Sequence, residues 1–155
     1  MKHLKLAEAL LLRADIQKKI ASLRERIVAN AVIQEGEKPH EKPDELMKQA
    51  VGALGDLETL VTKINRANLK TKTARGKTLT EAIAHRDMLA AQHALYIAAI
   101  AGSKKEPDRY SSREIKWVAT LEVAKLQKQT DDLAKKLREL NADIQKANWA
   151  SDLGD

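Results

Sequence analysis

Apolar residues recur every three or four positions along most of the chain, in four long runs separated by breaks that carry Gly or Pro. The first run covers about 6–32. Its stripe is Ala9, Arg13, Ile16, Ile20, Leu23, Ile27 and then Asn30 or Ala31, with no Gly or Pro inside it. The sequence QEGEKPHEKP then ends the helix, because Gly36 favours a stop and Pro39 and Pro43 cannot continue the hydrogen-bond ladder. The second run starts at Pro43 or Asp44, reaches Asn68 and places Leu46, Ala50, Ala53, Leu57, Leu60, Ile64 and Ala67 on one face. Gly52 and Gly55 lie inside it, each costing about 1 kcal/mol relative to Ala, and read as close helix approach or simple tolerance.

The third helix is predicted over 79–101 and is introduced by Thr78-x-x-Glu81, the form of a capping box. It is the most apolar of the four. Ile83, Ala90, Ala94, Ile97 and Ala101 make one stripe, and Ala82, Leu89, Tyr96 and Ile100 another. A helix apolar around so much of its circumference is expected to be central. The fourth helix is predicted over about 121–148. Val123, Leu126, Thr130, Leu133, Leu137, Leu140, Ile144 and Ala147 alternate in steps of three and four, the condition for supercoiled packing. Between the second and third helices, NLKTKTARGKTL alternates Thr and Lys around Arg75-Gly76, and Ile115, Trp117, Ala119 and Leu121 alternate before the fourth helix. The reading is therefore mainly α: one domain over 1–155, an elongated bundle of four long helices with coiled-coil-like packing and one small β-ribbon pairing about 69–79 with 115–121. Helices of this length extend roughly 40 Å, and their faces ask for partners in other copies of the chain.

Composition adds exclusions. The chain has no Cys, so it has no disulfide scaffold, no thiol chemistry and no Cys-based metal site. Its four aromatics, Tyr96, Tyr110, Trp117 and Trp149, all follow residue 95, so the first two helices pack through aliphatic side chains alone. There are 28 basic and 22 acidic residues, a formal charge of +6, with the surplus concentrated in 70–80 and 104–116. The N-terminal run MKHLKLAEALLLRAD is interrupted by Glu8, Arg13 and Asp15, and no stretch approaches the roughly 20 apolar residues of a membrane span. A cytoplasmic protein without a membrane partner is expected.

Candidate chemistry is sparse. Arg86 and Asp87 interrupt the most apolar helix. Adjacent helical residues diverge, so each is expected to seek a partner elsewhere, with Arg13, Arg109 and Arg113 as options. The plain reading is a structural ion-pair network; the functional one is a polar pocket for an anionic ligand. Asn30, Asn65 and Asn68 sit where their helices close and read as caps, or else as ligand contacts. Arg109, Tyr110 and Arg113 in RYSSREIK suit phosphate recognition or solvated loop charge. Lys70, Lys72, Arg75 and Lys77, with Lys116, form the most basic material and the candidate polyanion surface. His3, His40, His85 and His93 are scattered, so neither a metal site nor a cofactor is expected. No catalytic constellation is visible. ARGKT echoes the end of a P-loop but lacks its first Gly, since Thr71 stands there.

LAEALLLRADIQ at 6–17, NAVIQEG at 30–36, INRAN at 64–68, GKTLTEAIAHRD at 76–87, RYSSREIK at 109–116 and LQKQTDDLAKKLRELNADIQKANW at 126–149 resemble, in matching order, a family of small bacterial helical proteins that carries the septicolysin name. The resemblance implies an all-helical, oligomeric protein of unassigned function. The thiol-activated, pore-forming activity in that name does not suit this chain, which has no Cys and no amphipathic segment with an aromatic membrane face. The leading expectation is a non-enzymatic, self-associating scaffold or interaction protein, with itself as partner. The alternatives are a nucleic-acid or polyanion binder using 70–80 and 104–116, and a small-ligand protein or enzyme with a pocket at Arg86 and Asp87.

Overall fold

The computed structural model describes residues 4–104 and 117–154. Four helices follow in order: α1 (Leu6–Ala29), α2 (Pro43–Lys70), α3 (Leu79–Gly102) and α4 (Val123–Ala150). They form two compact units, one of Met1–Lys72 with Gln145–Asp155 and one of Thr73–Ile144.

In the first unit α1 and α2 pack against one another. Leu23 from α1 meets Leu46 and Ala50 from α2, and half-buried Ile27 covers the group. The connection between the helices is shaped by polar contacts. Asn30 ends α1: its amide nitrogen donates to the Arg26 carbonyl at 2.9 Å, while its Oδ1 accepts the Glu41 N–H at 3.1 Å. The Arg26 guanidinium forks onto both oxygens of Glu41, with the Nε bond at 2.9 Å. Pro43 opens α2 where a missing N–H is harmless. The chain's two ends also close on each other. Leu6 N–H donates to the Ser151 carbonyl at 2.9 Å, Leu153 N–H to the Leu4 carbonyl at 2.8 Å, and Lys5 Nζ pairs with Asp152 at 2.8 Å.

The second unit opens with a tight turn. Thr73 N–H donates to the Lys77 carbonyl at 2.8 Å and Gly76 N–H to the Thr73 carbonyl at 2.9 Å, with Gly76 at a φ of 80° that favours glycine. The capping box then forms as expected: Thr78 Oγ1 accepts from Glu81 N–H at 3.2 Å, and Thr78 N–H donates to the Glu81 carboxylate at 2.7 Å.

The sequence pattern holds best in α2 and α4. Leu46, Ala50, Ala53, Leu60, Ile64 and Ala67 are buried, as are Thr130, Leu133, Leu140, Ile144 and Ala147. Buried Thr130 satisfies its hydroxyl by donating to the Leu126 carbonyl at 2.8 Å. Three expectations need correction, and one alternative is decided. There is no ribbon: among the described residues no strand forms, α2 runs through residue 69 to Lys70, 71–78 is taken up by the turn and cap, and 117–121 is irregular. Residues 115 and 116 lie outside the described residues. Asn65 and Asn68 do not cap α2, which continues to Lys70 and closes through Thr71 N–H to the Ala67 carbonyl at 2.8 Å. A Cβ placed on Gly52 or Gly55 meets nothing within 4 Å, so of the two readings simple tolerance holds and close approach does not. Finally, α3 is not enclosed. Leu79, Ala82, Leu89 and Ile100 are buried, but the other predicted stripe is open: Ala90, Ala94, Ile97 and Ala101 are exposed.

Candidate functional site

The basic segment after α2 contributes to a cleft in the second unit. Arg75 and Lys77 from the turn, His85 from α3 and Lys136 from α4 surround it, over a floor that includes Ala82, Leu89 and Leu140. Its volume is about 490 Å³, within the range of small-ligand sites. Arg75 is held in place by two carboxylates one helical turn apart on α4, with Nε 2.9 Å from Asp143 and Nη2 3.5 Å from Glu139. The charges of Lys77 and Lys136 stand opposite no such acid among the described residues. An apolar floor with a cationic rim suits an anion that carries an apolar body.

Arg86 and Asp87 sit side by side on α3. They pair with each other: Arg86 Nε and Nη2 both donate to Asp87 Oδ1, at 2.9 Å and 2.7 Å. The expectation that neighbours diverge holds for Cβ directions, but the arginine arm is long enough to fold back on the next residue. Asp87 is mostly exposed, so the ion pair is a solvated one that adds little to stability. Arg13, one of the partners considered for them, has a buried Nε without a hydrogen-bond partner.

Lys70 and Lys72 are exposed in the first unit, and Asn65 there is exposed too; Asn68 is half-buried. Of the polyanion candidates, Arg75 and Lys77 are brought together at the cleft. Arg109, Tyr110, Arg113 and Lys116 lie outside the described residues. Sequence reasoning missed His85, Lys136 and Glu139 as cleft residues. His85 and Lys136 come from helices about fifty positions apart, and nothing local in either marks the meeting. Among the described residues no group of three or more His, Asp or Glu is arranged to hold a metal ion.

Titration is perturbed at the Arg26–Glu41 fork. Hydrogen bonds from the Arg26 guanidinium hold the Glu41 carboxyl below the ordinary glutamate value, against desolvation and with a still smaller Coulombic contribution from the same arginine. The same bonds raise Arg26 above its ordinary value.

A family model described as a family of unknown function, DUF6847, matches residues 13–153. The chain belongs to this family. Among solved structures, it is similar to a functionally unknown conserved protein from Corynebacterium diphtheriae at 35% identity and a TM-score of 0.89, covering 97% of this chain and 98% of that one. Comparison with curated proteins gives no match. Among the described residues no helix is long and apolar enough to cross a membrane.

Proposed function

We propose that the chain is a self-associating helical protein, an interaction or scaffold component rather than an enzyme. The open side of α3 carries this reading. From 88 to 103 the chain has no Asp, Glu, Lys or Arg. Yet Leu95 is 65% exposed and Met88 48%, and the two lie seven positions apart on one face of the helix. Isolated exposed apolar residues are ordinary, but large ones aligned on one face of a stretch without Asp, Glu, Lys or Arg are the mark of a surface that is covered in use. Covering each of these half-exposed side chains is worth about 1 kcal/mol, since full burial of such a residue yields roughly 1.5–3 kcal/mol. Native mass spectrometry tests the reading, with a dimer or higher closed oligomer expected. A monomer under gentle conditions, confirmed in solution at tens of micromolar, rejects it.

A second reading rests on the cleft at Arg75, Lys77, His85 and Lys136, which suits an anionic ligand, whether a small amphiphile or the phosphates of a nucleic acid. Titration calorimetry with decanoate and with a single-stranded oligonucleotide separates these. Binding of the oligonucleotide must weaken steeply with salt if phosphates make the contact. Heat from neither ligand removes the reading.

A further inference from the structure

Resting on the self-association proposed above, we infer that α3 pairs antiparallel with α3 of a second copy of this chain, in a single register. The exposed positions Ala84, Met88, Ala91, Leu95, Ala98 and Gly102 fall at steps of four, three, four, three and four. That is a heptad seam. It lies away from the side on which Ala82, Leu89 and Ile100 are buried, so it is open while the helix is already packed in its own unit.

Size alternates along the seam: alanine, methionine, alanine, leucine, alanine, glycine. A partner that presents large residues where this one presents small ones fits it best, because close packing needs each protrusion to meet a gap. The same seam reversed is such a partner. When two copies run antiparallel with Ala91 level with Leu95 of the partner subunit, Met88 faces the partner's Ala98, and Ala84 the partner's Gly102. Every layer then places a large side chain against a small one, or two small ones together. A parallel arrangement places Leu95 against the partner's Leu95 and Ala91 against the partner's Ala91, leaving alternating crowding and voids.

The charge pattern agrees. Across 88–103 there is no fixed charge to repel an identical surface, and a partner chosen by charge has nothing there to engage. The nearest charged pair on the helix, Arg86 with Asp87, is internally neutralised. A two-fold pairing is isologous, so it closes at two copies through this face. A seam of this length buries roughly 1,000 Å² in total, the lower edge of a specific interface, so the pairing is expected to depend on protein concentration.

The chain contains no native cysteine, so introduced ones report without background. An equimolar mixture of Ala91→Cys and Leu95→Cys proteins, oxidised at tens of micromolar, is expected to yield the mixed disulfide dimer at least ~10-fold faster than a pair of Glu58→Cys proteins, because only the seam pair meets the short Cα separation a disulfide needs. Ala91→Cys alone is expected to stay near the Glu58→Cys background, since its copies are offset by about 6 Å along the axis. Rapid linkage of Ala91→Cys to itself means parallel pairing and overturns the register. A mixed rate no faster than Glu58→Cys, while the unmodified protein still measures as an oligomer, overturns the use of this face but leaves self-association standing. If the unmodified protein is a monomer, both fail together.

Discussion

Leu23→Ala tests how the α1–α2 pair is held. Leu23 is 2% exposed and sits in a small cluster with Leu46, Ala50 and Ile27. The change removes three carbons, each worth about 0.8 kcal/mol when buried, or roughly 2.4 kcal/mol of transfer free energy. A cavity contribution adds to this, limited here because Ile27 is only half-buried and is free to move inward. The expected loss is about 3 kcal/mol. Urea unfolding followed by far-UV circular dichroism reads it as a midpoint lowered by about 1–2 M, for a slope of roughly 2 kcal/mol per molar. Protein concentration must be held fixed, because association contributes to apparent stability. Leu11→Ala is the control. Leu11 lies on the same helix but is 60% exposed, so its loss is expected to stay under about 0.5 kcal/mol. If the two variants unfold at the same urea concentration, the cluster is not what joins these helices.

Two further outcomes follow from local structure. Gly52→Ala and Gly55→Ala lie in an exposed helix interior where a Cβ meets nothing, so each is expected to raise stability by about 0.5–1 kcal/mol, read as an increase in thermal midpoint; a decrease for either means that the glycine is needed for a contact. The Arg26–Glu41 fork links stability to acid. Glu41 has a lowered folded-state pKa, so its contribution is full above the ordinary glutamate value and is lost as pH falls through the folded value. The wild-type chain is therefore expected to exceed Glu41→Gln in thermal midpoint at neutral pH and to lose that advantage progressively as pH falls below the ordinary glutamate value. A difference that persists undiminished at the acid end contradicts the fork as its source.

How much of this was legible in the chain depended on contrast. In α2 and α4 apolar and charged residues alternate cleanly, so the 3.6-residue period alone identified Leu46, Ala50, Ile64, Leu133, Leu140 and Ile144 as inward. In α3 the contrast is missing. Both of its stripes are apolar, periodicity cannot rank them, and the plain expectation of a central helix failed on Ala90, Ala94 and Ile97. The capping box at Thr78 and Glu81 was legible because it is local and stereochemically restricted. The ribbon was not, because a Thr/Lys alternation around Arg75-Gly76 serves a tight turn as well as a strand. The cleft was half legible. Arg75 and Lys77 stood out as basic residues, but their neighbours His85 and Lys136 are brought in by tertiary packing that no local pattern encodes. Arg86 and Asp87 differ again: adjacent Cβ directions diverge on a helix, but an arginine side chain is long enough to reach back to its neighbour.

Self-association through α3 is most directly tested by sedimentation velocity on the unmodified protein and on Leu95→Asp, from about one to a hundred micromolar. Desolvating a carboxylate in the seam costs several kcal/mol, whereas on an open, solvated face it costs the fold little. The unmodified protein is expected to shift from monomer to dimer across this range, and Leu95→Asp to stay monomeric with unchanged helicity. An unmodified protein that sediments as a monomer throughout, or a Leu95→Asp protein that dimerises as well as its parent, contradicts it.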